Sequence, residues 1–155
     1  MGLRENLWTD QLSQLPIRPA PSVGPGDSIR RTVEAMREAR AGCALVFEGP
    51  ELTGIFSERD LVKRVLASDV DLDRPVSLVM TAHPITARSS DSIGWAIRTM
   101  VQGHLRHLPV RDDRGRILGV VSVKQIAGYL ADHFPAAVYT LPPDPRQIQT
   151  SREGA

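Results

Sequence analysis

The chain of 155 residues contains one pattern written twice. Residues 27–46 (DSIRRTVEAMREARAGCALV) align without a gap on residues 91–110 (DSIGWAIRTMVQGHLRHLPV). The second copy then takes one extra residue in an acidic turn, and the register continues so that Ser57 matches Ser122. A duplication of this length restricts the chain to folds built from two similar units.

The apolar pattern within each copy predicts helix, strand, strand and helix in that order. Each copy opens with apolar residues at i, i+4 and i+7, the spacing of an amphipathic helix. Gly42 and Gly103 mark the predicted ends of these helices. Two short apolar runs joined by a Gly-, Pro- or Asp-containing turn follow, which indicates a hairpin. A second amphipathic helix begins at Ser57 in one copy and at Ser122 in the other.

An extended, proline-containing segment precedes each copy (PAPSVGPG and AHPITARSS) and adds a candidate edge strand, which completes a βαββα unit. A unit of about 55 residues buries too little surface to be stable alone. We therefore expect an α/β (α+β) fold in which two units pack about a pseudo-twofold axis, with the sheets facing each other and the helices outside. The predicted division is an N-terminal segment 1–15, repeats 16–74 and 75–134, and a Pro-rich C-terminal tail 135–155.

Charge and composition exclude several classes of function. The net charge is +1, from 19 basic and 18 acidic residues, and no basic run predicts nucleic-acid binding. The single cysteine, Cys43, excludes an intrachain disulfide and predicts a small buried apolar residue. No apolar run approaches the ~20 residues of a membrane span. We expect a cytoplasmic protein that binds neither nucleic acid nor membrane.

The order and duplication of these motifs resemble a tandem pair of cystathionine-β-synthase-type (CBS) domains, the Bateman module. The resemblance extends from about residue 16 to residue 134 and rests on GIFSERDLVKRVL (54–66), VMT (79–81), RHLPV (106–110) and GVVSVKQI (119–126). It implies a regulatory module, not an enzyme, that binds AMP, ADP, ATP or a related ligand between its repeats. It also implies a homodimer that passes the ligand state to an unidentified regulated protein.

The Ser57-x-x-Asp60 spacing has two interpretations. In the first, Ser57 and Asp60 form a capping box that stabilises the helix start. In the second, free N–H groups at the helix start and the Arg59 guanidinium hold a phosphate, while the Asp60 carboxylate accepts hydrogen bonds from a ribose. The family resemblance assigns the ribose to Asp60 and phosphate-side contacts to Ser57. The two interpretations are compatible, because an empty site can be capped internally.

The resemblance also implies which residues complete each cleft. Beside Ser57, Arg59 and Asp60, the other repeat is expected to supply the adenine-side wall of the first cleft: Ile85, Thr86, Ala87, Leu105 and Arg106. The second cleft departs from the family pattern, because Gln125 stands where an aspartate is expected, and an amide loses the charge-assisted ribose bond. We therefore predict a weaker second cleft, with candidate residues Ser22, Gly42, Cys43, His107, Ser122, Lys124 and Gln125.

Catalysis and metal binding have little support in the sequence. Ser57 has no histidine near it that would activate a nucleophile. His104 and His107 lie where a helix runs into a strand, so their rings diverge, and no third metal ligand is close in sequence. We expect no catalytic residue, no metal and no required cofactor, with an adenine nucleotide as regulatory ligand. The alternative is a structural or interaction dimer module without a physiological nucleotide, in which both serines only cap helices.

Overall fold

The helices and strands of the computed structural model, which describes residues 2–133, follow the duplicated pattern. The helices are α1 (Leu3–Thr9), α2 (Ile29–Ala39), α3 (Glu58–Asp60), α4 (Ile93–Gly103) and α5 (Val123–His133). α3 continues directly into a π-helical segment, Leu61–Leu66, and short 3-10 turns cover Leu12–Gln14 and Val76–Leu78. The Pro-rich tail predicted for 135–155 lies outside the described residues. None of the helices within 2–133 has the length and apolar character needed to cross a bilayer.

Two sheets form the centre of the fold. The strands are β1 (Ser22–Val23), β2 (Cys43–Glu48), β3 (Glu51–Ser57), β4 (Thr81–Ala82), β5 (Ala87–Arg88), β6 (His107–Arg111) and β7 (Ile117–Ser122). One sheet has the order β1-β2-β3-β4 and the other β5-β6-β7. In each sheet a short first strand pairs in parallel with the first strand of the predicted hairpin. The predicted α/β (α+β) fold with two similar units is confirmed.

The helices that open the two repeats start and end in matching ways. The Ser28 hydroxyl accepts a hydrogen bond from the Arg31 N–H at 3.0 Å, and Ser92 caps α4 in the same way. Helix α2 ends at Arg40 and helix α4 at His104, and both residues adopt the left-handed conformation, with φ of 51° and 52°. The prediction that Gly42 ends α2 is therefore wrong, because the chain reverses two residues earlier at a non-glycine residue.

A segment upstream of the first helix of each repeat crosses over to the other repeat. Residues 10–18 join the second repeat: the Leu12 N–H donates to the Asp91 carbonyl at 2.9 Å, and Arg18 exchanges two backbone hydrogen bonds with Val120. Residues 74–82 join the first repeat through equivalent bonds, including the Val76 N–H to the Asp27 carbonyl at 2.8 Å. We call 10–18 and 74–82 the crossed segments.

Each folded half therefore contains residues from outside its own sequence repeat. Leu12 and Leu15 are buried in the core of the second half, whereas Val76 and Val79 are buried in the core of the first. The boundaries 16–74 and 75–134 therefore remain predictions about the repeated sequence, and they do not coincide with the two folded halves. A third, smaller cluster joins the two sheets face to face and consists of Cys43, Leu45, Leu52 and Val120.

The contact between a crossed segment and β7 depends on a glycine. A Cβ placed on Gly119 would lie 2.4 Å from the Arg18 carbonyl oxygen, a backbone atom that cannot move away alone. We expect Gly119→Ala to lower the free energy of unfolding by about 1–3 kcal/mol, as overpacking does. Chemical denaturation measures this change.

Gly128 provides the matched control for this substitution. It lies inside α5, and a Cβ there would meet nothing within 4 Å. Gly128→Ala is therefore expected to stabilise the protein by about 0.5–1 kcal/mol, because alanine is the better helix former. Equal effects of the two substitutions would contradict the close approach of the crossed segment to β7.

Candidate functional site

A cleft of about 470 Å³ lies between the two repeats at the end of β3. The first repeat contributes the residues from Ile55 through α3 to Arg64, and the second contributes 103–107, the turn that connects α4 to β6. The connection between β4 and β5 closes a third side. The lining residues are Ile55, Ser57, Glu58, Arg59, Asp60, Lys63, Arg64, Thr81, His83, Pro84, Ile85, Gly103, His104, Leu105, Arg106 and His107.

Asp60 holds the start of α3 with one of its carboxylate oxygens. Asp60 Oδ2 accepts hydrogen bonds from the Ser57 N–H at 2.9 Å and from the Ser57 hydroxyl at 3.0 Å. The Asp60 N–H in turn donates to Ser57 Oγ at 3.3 Å. The capping-box interpretation of Ser57-x-x-Asp60 is therefore confirmed. The second oxygen, Oδ1, lies 3.4 Å from Arg64 Nε, and the side chain of Asp60 is 14% exposed.

The positive charge of the cleft comes chiefly from side chains. Two N–H groups of the first turn are already bonded, that of Glu58 to the Gly42 carbonyl and that of Asp60 to Ser57. The Arg59 guanidinium reaches across the cleft and donates to the His104 carbonyl at 3.2 Å. Four cationic side chains line the cleft against two carboxylates: Arg59, Lys63, Arg64 and Arg106 against Glu58 and Asp60. Such a site favours an anionic ligand.

Comparison with known proteins identifies the family. The CBS domain family model matches residues 12–67 and 76–132. The chain belongs to the CBS domain family. The two matched ranges include most of both crossed segments. The crossed segments are therefore part of the family's sequence pattern.

Several proteins are similar to this chain over most of its length. An uncharacterised 17.7 kDa protein of Acidianus ambivalens is 30% identical over 123 residues, which cover 79% of this chain and 74% of the relative. The meiotically up-regulated gene 70 protein of Schizosaccharomyces pombe is 33% identical over 106 residues, and the match covers 68% of this chain but only 14% of that protein.

Solved CBS structures have the same fold. A CBS domain protein of Pyrobaculum aerophilum, solved in complex with AMP, is 27% identical with a TM-score of 0.69, covering 79% of this chain and 98% of that chain. A CBS-domain protein of Agrobacterium tumefaciens is 29% identical with a TM-score of 0.66, covering 72% and 90% of the two chains.

Most residues predicted for the first cleft of this CBS pair lie together. Ser57, Arg59, Asp60, Ile85, Leu105 and Arg106 all line the cleft. Thr86 and Ala87 are not among the lining residues. The Thr86 hydroxyl accepts a hydrogen bond from Arg111 Nε at 3.2 Å, and Ala87 is fully buried in β5, where it pairs with Val110.

Most of the residues predicted for the second cleft make contacts within the protein itself. Gln125 Oε1 accepts from the Ser122 N–H at 2.8 Å, and Gln125 Nε2 donates to the Pro16 carbonyl of a crossed segment. Cys43 is 2% exposed, as predicted for a small buried residue, and burial together with the Glu58 carboxylate raises the pKa of its thiol to about 12. Lys124 is exposed, and Ser22 pairs with Leu45 in the first sheet.

His107, predicted for the second cleft, lines the first. A Cβ built on Gly42 would lie 2.9 Å from His107 Nε2, so the imidazole edge packs directly on the Gly42 backbone. Burial lowers the pKa of His107 and Arg106 lowers it further, whereas the carboxylates of Glu58 and Asp60 act in the opposite direction. Within residues 2–133 the ring nitrogens of His107 make no hydrogen bond.

Sequence reasoning missed several residues of the cleft, among them the basic residues Lys63, Arg64, His83 and His104. Arg64 follows Asp60 at the i+4 spacing of helical ion pairs, a signal that could have identified it. Lys63, His83 and His104 carry no comparable signal. The positions of His83 and His104 depend on left-handed backbone, with φ of 49° and 52°. No cluster of three or more His, Cys, Asp or Glu side chains arranged for a metal occurs among the described residues.

Proposed function

We propose that this CBS pair is a regulatory module that binds an adenine nucleotide of the AMP, ADP or ATP class in the Asp60 cleft. The observation that carries the proposal is a cleft shared by both repeats, in which two carboxylates lie among four cationic side chains. The similar Pyrobaculum aerophilum protein, which was solved with AMP, supports the choice of ligand. No cofactor and no catalytic step belong to this proposal.

The side chains around the cleft suit the parts of a nucleotide. Asp60 Oδ1 retains capacity to accept ribose hydroxyls, because a carboxylate offers about four lone-pair sites and the capping box uses only Oδ2. Each hydrogen bond to the carboxylate contributes about 1.5–3 kcal/mol. Arg59 and Arg106 lie on opposite walls and suit a phosphate. The apolar surfaces of Ile55, Ile85 and Leu105 suit a purine base.

Ligand binding would shift the relative orientation of the two repeats. The Arg59 guanidinium now links the repeats by donating to the His104 carbonyl. A phosphate that captures Arg59 exchanges this link for a bridge through the ligand, so the occupied and empty clefts favour different arrangements. A regulated protein, whose identity is open, would recognise that arrangement.

Assembly and location complete the proposal. Val62 and Leu66 are exposed apolar residues one turn apart on the segment that follows α3. Covering them in a homodimer would remove this apolar surface from water. We place the protein in the cytoplasm, where adenine nucleotides are abundant.

The second cleft is proposed to bind weakly or not at all. Gln125 lacks the charge of Asp60, and both ends of its amide are occupied by Ser122 and Pro16. A ligand there would have to release the crossed segment from Gln125 before it gained a contact to this side chain.

The structural alternative is favoured by one observation. The Ser57–Asp60 capping box is complete without a ligand, so these residues stabilise the helix whether or not a nucleotide binds. In that case the dimer would be the functional product and the cleft would have no physiological occupant.

A thermal-shift panel tests the proposal. AMP, ADP, ATP, S-adenosylmethionine and NAD would each be titrated against the intact chain. A ligand that binds the folded state stabilises it by about 2.7 kcal/mol at 100 times its Kd, so the melting temperature is expected to rise with nucleotide concentration. No shift with any member of the panel would favour the structural alternative.

A further inference from the structure

His107 is a chemically unusual residue of the Asp60 cleft. Its imidazole is half-buried, lines the cleft and packs on Gly42, a residue of the other repeat. Neither ring nitrogen of His107 has a hydrogen-bond partner in the part of the chain that the structure describes, and neither is fully buried, so this side chain can still bind a molecule in the cleft.

The charged groups around His107 come from both repeats. Glu58 and Asp60 on α3 are the carboxylates that face it, and Arg106 is its cationic neighbour in the chain. The same cleft also holds the basic side chains Arg59, Lys63 and Arg64, together with the imidazoles of His83 and His104. A phosphate held by Arg59 and Arg106 would therefore lie in the same cleft as the His107 ring.

We infer that His107 contacts the phosphate of the bound ligand and takes up a proton as that phosphate binds. The inference rests on the proposed function and gives the phosphate of its nucleotide one further contact. A sulfonium ligand such as S-adenosylmethionine would instead bring a positive charge toward a cleft that already holds four cationic side chains.

The direction of the coupling follows from electrostatics. In the empty cleft, burial and Arg106 favour the neutral imidazole and hold the pKa of His107 below its ordinary value. A phosphate dianion at hydrogen-bond distance favours the imidazolium, so ligand binding raises this pKa. Nucleotide affinity therefore increases as the pH falls from the pKa of the bound state toward that of the free state. The increase is at most about tenfold per pH unit for one proton.

Calorimetry of AMP binding in Tris and in PIPES measures the proton uptake, because these buffers differ in ionisation enthalpy. We expect wild-type protein to take up a fraction of one proton per AMP between pH 6.5 and 7.5, and His107→Gln to lose that uptake. AMP itself exchanges protons, since its second phosphate pKa is about 6, and the difference between the two proteins cancels this contribution. Adenosine, which has no phosphate, is expected to bind without uptake at His107.

A histidine outside the cleft provides the control. His133 lies in the last turn of α5 and is exposed, so His133→Gln should fold and retain the proton uptake. Uptake that persists in His107→Gln, or that disappears in His133→Gln, would overturn the role of His107. If His107→Gln does not fold, NMR titration of the His107 ring in wild-type protein replaces it, and a pKa that does not rise with AMP overturns the inference.

The outcomes separate this inference from the proposed function. AMP binding without proton uptake at His107 would reject the inference and leave the nucleotide module intact. No binding of AMP, ADP or ATP would reject both, and so would a preference for S-adenosylmethionine over all three.

Discussion

Asp60→Ala is expected to weaken nucleotide binding roughly 10- to 150-fold. The substitution removes the carboxylate that would accept the ribose hydroxyls, and bonds to a charged acceptor contribute about 1.5–3 kcal/mol. It also removes the capping box, which should lower the free energy of unfolding by about 1 kcal/mol. Isothermal titration calorimetry with AMP and ATP measures the first effect, and chemical denaturation measures the second.

The duplicated fold supplies the control for this experiment. Gln125 caps α5 as Asp60 caps α3, so Gln125→Ala should lose similar stability while the Asp60 cleft binds nucleotide as before. Asp60→Asn keeps an acceptor for the cap and loses only the charge, and its affinity is expected between those of wild type and Asp60→Ala. Unchanged affinity in Asp60→Ala would refute the ribose contact even if the protein binds AMP.

Leu12→Ala is expected to lower the free energy of unfolding by about 2–5 kcal/mol, the cost of emptying a fully buried leucine site. Leu12 precedes the first helix of the first repeat in sequence, yet its side chain lies in the core of the second half among residues such as Ile93 and Leu108. The loss should therefore be as large as for a residue within the second repeat itself. Denaturant unfolding of the intact chain measures it.

Ser13 is the matched control, because it is the next residue and is exposed. Ser13→Ala should change the free energy of unfolding by no more than about 0.5 kcal/mol. A small effect of Leu12→Ala, similar to that of Ser13→Ala, would show that the crossed segment does not contribute to the core.

Local features of the fold were predictable because they depend on neighbours in sequence. The helix start at Ser57, the hairpins and the pairing of capping residues follow from spacing alone, and Asp60 and Gln125 occupy the predicted positions in their capping boxes. The end of α2 was not predictable in this way. Arg40 takes the left-handed conformation that glycine would favour, and Gly42 is needed elsewhere, beneath the His107 ring.

Features that depend on the packing of one repeat against the other were harder to predict. A duplicated pattern does not show which half a connecting segment joins, so the buried positions of Leu12 and Val76 had no sequence signal. His107 was assigned to the second cleft because it belongs to the same repeat as Gln125. The structure places it in the first, because its ring extends across the boundary toward Gly42 and Glu58.

The exchange of segments 10–18 and 74–82 makes the halves of the molecule mutually dependent. A chain cleaved between residues 67 and 73 would yield two fragments, each missing a stretch that its own sheet requires and each carrying the stretch that the other lacks. Such fragments should reassociate as a complementing pair and remain unfolded when separated. For the same reason the intact protein should melt in a single cooperative transition.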